Sequence, residues 1–290
     1  MTWVDTYRSL KAPVRPFVRG HWQNPVLAGA ARMARRYLAI YENNDHDLRR
    51  NGEQEIVSRL RPFAPLVALD VGAYEGVWTD LVLRSLPDVV VYAFEPSPDV
   101  ADALIDGVGM DERVRLHRFA LSDSDGEATL YVHRAHGSLS SLVPSDPKWT
   151  IPVTVTTRRG DTVLHDLGID SVDLLKIDAE GHDLRVLKGF ARYLGEARIA
   201  VIQFEYNTWN IRSRAMLVDF YELLGPLGYR IGKVHPDGVA FADYDEVQEN
   251  WIGPACVAVH RDHPRVLDAL EARARRVRGR RADGGRSWTW

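Results

Sequence analysis

The chain has 290 residues, of which 45% are hydrophobic and 27% are charged, as is usual for a globular protein. Its formal net charge of −3 argues against an extended nucleic-acid surface, so we expect nucleic acid to be an unlikely partner. The single cysteine, Cys256, excludes an intramolecular disulfide and a cysteine-rich zinc site. No apolar run approaches the roughly 18 residues of a membrane span, and no signal-peptide pattern begins the sequence. We therefore expect a cytoplasmic protein without a membrane span.

The first part of the sequence, residues 1–62, is predicted to form an irregular arm and two helices. Asn24 could cap a first helix that continues to Tyr41, because Pro25 suits a first turn and the alanines favour propagation. A second helix is predicted over Glu53–Leu60. Because both helices precede the sheet, we expect them to form a lid or the surface of a homodimer.

From Leu66 onward, short apolar runs alternate with helical patterns. Leu66–Val71, Val89–Phe94 and Val114–Phe119 predict strands separated by helices. This βαβαβ order favours a parallel sheet with helices on both faces. We therefore predict an α/β, Rossmann-like domain over residues 63–277, followed by an Arg- and Gly-rich tail over residues 278–290.

Later apolar runs extend the predicted sheet. Val172–Ile177 and Ile199–Phe204 predict further parallel strands, and Tyr229–Val234 with Ala255–His260 predicts an antiparallel pair at one edge. Between them, the polar loop Arg134–Thr150 is long for a structureless connection, so we expect it to face the substrate or to be mobile.

A glycine turn follows the first predicted strand. That strand carries Asp70 near its end, and Gly72 and Gly76 then bracket a tight turn before a helix, an arrangement that suits an anionic or polar ligand group. The second strand ends in Glu95, where an acidic side chain can accept hydrogen bonds from both ribose hydroxyls. Tyr74 stands where a dinucleotide fingerprint needs glycine, so S-adenosylmethionine fits better than a dinucleotide.

Acidic side chains follow the later parallel strands as well. Asp178 and Glu180 come after the fourth strand and Glu205 after the fifth, at the edge where ligands bind in open α/β sheets. Together with His182 they are candidates for the general base that methyl transfer to a hydroxyl requires. Asp178 and Glu205 could instead hold magnesium. The sequence leaves the base and the metal open.

Several of these stretches resemble the FkbM-type S-adenosylmethionine-dependent methyltransferases. They are NGE at Asn51–Glu53, LDVGAYEG at Leu69–Gly76, FEP at Phe94–Pro96, ALSDSDGEATL at Ala120–Leu130, SSL at Ser140–Leu142 and DLLKIDAEGHDLRVLKG at Asp173–Gly189. The resemblance covers roughly residues 40–235. It implies a seven-stranded methyltransferase sheet and O-methylation of a hydroxyl on a sugar, glycan or polyketide-type natural product.

The resemblance also implies roles for particular residues. The glycine turn would line the methionine end of the cofactor, Glu95 would bind the ribose, and Phe119–Ser122 would flank the adenine. The whole predicted cofactor set is Glu53, Asp70, Gly72, Ala73, Tyr74, Gly76, Glu95, Pro96, Phe119, Ala120, Leu121, Ser122, Ser140 and Asp178. The family usually has Asn at the position of Tyr74.

Three alternatives stay open at this point. The first is a nicotinamide-dependent oxidoreductase on a related sheet, which Tyr74 disfavours. The second is a non-catalytic subunit that keeps the fold. The third is an RNA methyltransferase in which the Arg-rich tail anchors the nucleic acid.

Overall fold

The computed structural model describes residues 15–144, 146–253 and 255–272. The predicted tail over residues 278–290 and the first part of the predicted arm lie outside the described residues. Residues 15–20 are helical, and the helices that follow are α1 (Pro25–Tyr41), α2 (Glu53–Leu60), α3 (Val77–Ser85), α4 (Pro98–Gly107), α5 (Gly160–Asp166), α6 (Asp183–Gly189), α7 (Ala191–Gly195), α8 (Trp209–Ser213), α9 (Leu217–Leu224) and α10 (Pro264–Leu270).

The strands form two sheets. They are β1 (Val67–Val71), β2 (Val90–Phe94), β3 (Val114–His117), β4 (Ala120–Ser122), β5 (Gly126–His133), β6 (Thr150–Arg159), β7 (Val172–Ile177), β8 (Ile199–Glu205), β9 (Tyr229–His235), β10 (Gly238–Phe241) and β11 (Ala255–His260). The main sheet has eight strands in the order β10-β9-β11-β8-β7-β1-β2-β3, and the small sheet has the order β4-β6-β5.

The main sheet confirms the predicted α/β architecture. Strands β3, β2, β1, β7 and β8 run parallel to one another, whereas β11 is antiparallel to both β8 and β9. The antiparallel strand therefore lies inside the sheet, and β10, which pairs antiparallel with β9, forms the edge. The predicted pair β9 and β11 is present, and β10 raises the strand number from the expected seven to eight.

Two layers of helices cover this sheet. Leu175 packs with α6, α7 and α9 on one face, while its neighbour Leu174 packs with α2, α3 and α10 on the other. Because both faces are covered, the central strands are apolar at nearly every position, which is why they stand out as continuous runs in the sequence. Helix α2 belongs to this core, since Ile56, Val57 and Leu60 are buried in it.

The small sheet corrects one predicted strand. The predicted strand Val114–Phe119 ends two residues early, as β3, and the next strand, β4, lies outside the main sheet and pairs with β6. Strands β5 and β6 form an antiparallel ladder from Gly126–Thr157 to His133–Thr150. The small sheet thus carries the loop Arg134–Thr150 across the carboxyl ends of the main strands.

Helix α1 follows its sequence signals closely. The side chain of Asn24 accepts a hydrogen bond from the backbone N–H of Val26 at 2.9 Å, as a helix cap does, and Pro25 occupies the first turn. No residue of α1 is buried. Among the described residues, no helix is long and apolar enough to cross a membrane.

The end of β1 is fixed by a close approach of two backbones. Gly72 has φ +79°, and a Cβ at this position would lie 2.0 Å from the carbonyl oxygen of Asp178. The N–H of Asp178 donates to the carbonyl of Val71, and the N–H of Gly72 donates to the carbonyl of Phe94. Only glycine fits here, and the ends of β1, β2 and β7 are therefore held together.

We expect Gly72→Ala to destabilise the protein strongly. The left-handed conformation costs a residue with a side chain about 1–2 kcal/mol, and the backbone clash with Asp178 adds to this cost. Thermal denaturation should show a melting temperature lower by more than about 5 °C. Gly195→Ala is the matched control, because nothing lies within 4 Å of the added Cβ there. Equal melting of the two variants would contradict the steric argument.

Candidate active site

Two neighbouring cavities lie at the carboxyl ends of the parallel strands. The small pocket, of about 60 Å³, lies beside Phe94, Glu95 and Leu121. The large cleft, of about 620 Å³, extends outward past Glu53 and Glu205. The cavities share part of their walls, namely Gly72, Tyr74, Ser138, Asp178 and Glu180. The strand ends therefore form one continuous site with a narrow apolar end and a wide polar end.

Most of the predicted cofactor residues line this site. The small pocket is bordered by Gly72, Tyr74, Glu95, Pro96, Ala120, Leu121, Ser140 and Asp178. The large cleft adds Glu53 and Ala73. The catalytic candidates Asp178 and Glu180 border both cavities, His182 borders the small pocket and Glu205 borders the large cleft.

Four predicted cofactor residues lie outside both cavity walls. The buried carboxylate of Asp70 accepts a hydrogen bond from the Thr79 hydroxyl at 2.7 Å. Gly76 supports the turn before α3, Phe119 packs against Phe94 and Ser122 bonds to His182. These four residues contact other protein groups, so they support the walls of the site and do not line it.

Glu95 organises the glycine turn. Its carboxylate accepts hydrogen bonds from the N–H of Tyr74 at 3.0 Å and the N–H of Ser97 at 2.8 Å, one on each oxygen. Burial raises the pKa of Glu95 to about 7, although these two hydrogen bonds oppose the shift. Each oxygen keeps a lone pair for a further donor in the small pocket.

Tyr74 adopts an unusual backbone conformation in that turn, with φ +49°. Residues with a side chain rarely take this left-handed region, and Asn does so more readily than most. This explains physically why Asn suits the position in the resembling family. In this chain the tyrosine ring lies against Gly137, in the loop between β5 and β6.

Lys176 is a buried cation among the carboxylates. Its Nζ lies 3.0 Å from Oδ2 of Asp178 and 3.8 Å from Oδ1 of Asp70. Burial alone would lower the pKa of Lys176, but attraction to Asp178, Asp70 and Glu53 outweighs burial and raises it. Lys176 therefore stays charged.

One lysine is not enough to balance the acidic groups nearby. Burial, with repulsion from Asp178 and Asp183, raises the pKa of Glu180 to about 9. Burial and repulsion from the same cluster hold the pKa of Glu205 well above its usual value. In the free protein, the cluster therefore keeps protons that isolated carboxylates would have lost at neutral pH.

The sequence missed Asp183, which is fully buried and links two turns. Its carboxylate accepts hydrogen bonds from the N–H of Gly181 and the N–H of Glu205, each at 3.2 Å. Burial and the charge of Asp178 raise the pKa of Asp183 to about 7. The only sequence signal for this role was its place in the KIDAEGHD stretch.

Glu53 is held at the cleft by two amides. Asn51 donates from its side-chain amide to one carboxylate oxygen of Glu53 at 2.7 Å, and Gln203 donates to the other. The Asn51 side chain also accepts from the N–H of Glu53, which fixes the start of α2. The NGE stretch thus builds the helix start and places the carboxylate together, whereas the sequence did not point to Gln203.

Burial makes His182 a weak candidate for the general base. Its Nε2 lies 2.9 Å from the hydroxyl of Ser122, and the side chain is buried. Burial lowers the pKa of His182 to about 4, and the nearby Arg185 adds to the effect. The imidazole is therefore neutral at neutral pH.

The candidate metal residues do not fit a magnesium site. No group of three or more His, Cys, Asp and Glu side chains in the described part of the chain has the arrangement of a metal site. The ammonium group of Lys176 occupies the position beside Asp178, and Glu205 accepts from the amide of Asn207 at 2.6 Å. The magnesium hypothesis therefore receives no support from the geometry.

Aromatic and amide side chains complete the outer wall of the large cleft. Trp209 and Trp251 are half-buried there, beside Asn44 and Asn207. The indole N–H of Trp251 is buried and has no hydrogen-bond partner among the described residues. Neither tryptophan was predicted from the sequence, because both lie outside the strands and their end motifs.

The raised pKa of Glu180 predicts how pH changes stability. Between about pH 4.5 and about pH 9 the folded protein holds a proton on Glu180 that the unfolded chain has lost, so stability falls as pH rises. Glu180→Gln removes this contribution. Its melting temperature relative to the wild type should therefore rise between about pH 6 and about pH 9. The matched control Glu222→Gln, on the exposed face of α9, should show a constant difference; a constant difference for Glu180→Gln as well would contradict the assignment.

Comparison with known proteins gives the family. A family model described as the methyltransferase FkbM domain matches residues 70–231, more than half of the chain. The 2-O-methyltransferase NoeI of Sinorhizobium fredii is 27% identical over 165 residues, which cover 52% of this chain and 68% of that protein. The hexuronic acid methyltransferase AglP of Haloferax volcanii is 27% identical over 160 residues, which cover 54% of this chain and 63% of that protein.

The solved structures are more distant. A methyltransferase of Podospora anserina, PaMTH1, in its SAH-bound form, has a TM-score of 0.43 and 13% identity, and the likeness covers 72% of this chain and 77% of that chain. The strand order of the main sheet and the family match agree with the resemblance seen in the sequence. The chain belongs to the FkbM methyltransferase domain family.

Proposed function

We propose that this protein is an S-adenosylmethionine-dependent O-methyltransferase that acts on a hydroxyl of a sugar or glycan. The observation that carries the proposal is the junction of the two cavities at Asp178 and Glu180. An apolar pocket with a ribose-binding carboxylate meets a wide polar cleft at a cluster of carboxylates. A nucleoside with a cationic end fits the first, and a hydroxylated acceptor fits the second.

The lining of the small pocket suits the nucleoside part of the cofactor. The free lone pairs of Glu95 can accept from two ribose hydroxyls, because each oxygen has one backbone donor. The apolar side chains of Phe94, Leu121 and Leu142 line the same pocket and suit an adenine ring. The bound cofactor supplies a methyl group activated on a sulfonium ion.

The charge of the site fits a cationic ligand. Asp178, Glu180 and Glu205 border the large cleft, and Lys176 is the cation that faces them. A positive group beside these carboxylates lowers their pKa values and favours the ionised form. Glu180, protonated in the free protein at neutral pH, is then converted into a base when the cationic ligand is bound.

The large cleft fits a sugar better than an extended apolar acceptor. Trp209 and Trp251 offer ring faces, and Asn207 offers hydrogen bonds. The relatives NoeI, named a 2-O-methyltransferase, and AglP, named a hexuronic acid methyltransferase, support this acceptor class.

In the proposed reaction, Glu180 takes the proton of the acceptor hydroxyl while the methyl group moves in line to the oxygen. Glu205 lies in the same cluster of carboxylates and helps to hold the acceptor. Asp178 stays bound to Lys176 and fixes the turn. His182 positions this turn through Ser122.

Glu95→Ala should weaken binding of S-adenosylhomocysteine. Loss of hydrogen bonds to an ionised carboxylate costs about 1.5–3 kcal/mol, or about 10-fold to 150-fold in affinity. Isothermal titration calorimetry measures this loss, and a thermal melt checks that the variant is folded. Glu127→Ala, on the exposed part of β5, is the matched control. Unchanged affinity in a folded Glu95→Ala protein would disprove the ribose assignment.

Glu180→Gln should lower turnover by about 10²–10⁴-fold, because glutamine keeps the size of the side chain but cannot take a proton. Its affinity for S-adenosylhomocysteine should stay within a few-fold of the wild type. Labelled methyl transfer to a panel of glycans measures turnover, with Glu222→Gln as the control.

The same assay separates the base from a metal. We expect turnover to be unaffected by a chelator, since the site lacks a metal arrangement. Chelator-sensitive turnover that magnesium restores would support the metal instead. Full turnover in both Glu180→Gln and Glu205→Gln would show that the chemistry lies on other residues.

A further inference from the structure

Helix α1 presents an apolar face that the described protein does not cover. Val26, Met33, Tyr37 and Ile40 recur at helical spacing on one side, and their exposed fractions are 77%, 73%, 66% and 80%. Trp22, just before the helix, is 69% exposed. An apolar patch of this extent is unusual on a monomer and indicates a binding surface.

The same segment is strongly basic. Residues 15–41 contain five arginines and no aspartate or glutamate. None of the five forms an ion pair within the described part of the chain. At 100° per residue, Arg36 borders the apolar face, and Arg32 and Arg35 lie further round the helix. The surface is therefore an amphipathic helix with uncompensated positive charge.

The helix is fixed firmly at its C-terminal end. Glu42, directly after it, pairs with Lys233 of β9. The side-chain amide of Asn43 donates to the carbonyl groups of Asn51 at 2.6 Å and Val234 at 2.9 Å. The next residue, Asn44, already lines the large cleft. The C-terminal end of α1 is thus anchored beside the large cleft.

We propose that α1 docks on the surface of an anionic lipid bilayer. The apolar side chains would enter the boundary between headgroups and acyl chains, and the arginines would pair with lipid phosphates. A basic amphipathic helix with aromatic residues on its apolar face has the composition of such interfacial helices.

The positive charge of this segment argues against two other occupants of the apolar face, namely a second copy of the chain and the C-terminal sequence of the same chain. A second copy packed face to face would bring two sets of five arginines together with no acidic partner from this segment. The C-terminal sequence over residues 273–290 contains seven arginines and one acidic residue, so it carries the same sign as the helix. A negatively charged surface complements both the apolar face and its arginines.

Vesicle co-sedimentation of the full chain tests the proposal. Vesicles of phosphatidylcholine are compared with vesicles that contain about 30% phosphatidylglycerol, at low and at high salt. We expect binding at least about tenfold stronger to the anionic vesicles, weakened by salt because surface attraction is screened.

Two pairs of variants separate the apolar and the charged contributions. Met33→Ser with Ile40→Ser should lower vesicle binding at least about tenfold, because the apolar anchor is lost. Met110→Ser with Val247→Ser is its control, since both side chains are 81% exposed elsewhere.

The charge variant is Arg32→Gln with Arg36→Gln, which should remove the preference for anionic vesicles. Its control, Arg49→Gln with Arg61→Gln, changes two exposed arginines outside α1 and should keep the preference.

Several outcomes would overturn the proposal: absent vesicle binding, equal binding to both vesicle types, or equal losses in a variant and its control. A dimer in analytical ultracentrifugation that Met33→Ser with Ile40→Ser dissociates, without vesicle binding, would assign the face to a second copy. Because the changed side chains of α1 are exposed, thermal melts of these variants should match the wild type.

Discussion

A buried lysine holds the carboxyl edge of the main sheet together. The ammonium group of Lys176, on β7, lies between Asp70 of β1 and Asp178 after β7, and its charge also reaches Glu53 of α2. Removing one partner of such a cluster would leave a buried, unpaired charge, which is far more costly than losing a surface ion pair. The glycine turn, the helix start at Glu53 and the cleft therefore share one electrostatic centre.

The sequence was enough to predict the main sheet, because strands buried on both faces are apolar at nearly every position. It was not enough to predict that the chain leaves the main sheet after His117, since the pairing of Ala120 with Thr157 depends on a contact far along the chain. The edge strand β10 was missed for a related reason, as its four residues are bounded by a turn and only partly buried. The local sequence pattern determines whether a segment forms a strand. Residues that are distant in the sequence determine which sheet that strand joins.

The same distinction applies to the site. Glu95, Glu180 and Glu205 were predicted because they follow strand ends, and the topology brings those ends to one edge. Asp183 and Gln203 were missed, since their importance lies in hydrogen bonds to distant turns and to Glu53. The position of a residue along a strand predicts which edge of the sheet it lies near. Its hydrogen-bond partners within the protein decide whether its side chain faces the cavity.

The proposed reaction, with Glu180 as the base, leaves the net charge of the cleft unchanged. In the proposed reaction an ionised Glu180 would take the proton of the acceptor hydroxyl, whose oxygen would form a bond to the methyl group. The bond between that methyl group and sulfur would break, so the sulfonium charge would be lost. One negative and one positive charge disappear together, so the cleft keeps its net charge through the reaction. The product state also has the protonation that Glu180 holds in the free protein at neutral pH, where its pKa is about 9. A cation bound in the cofactor site would lower the pKa of Glu180, so loss of its proton would be coupled to binding of the cofactor.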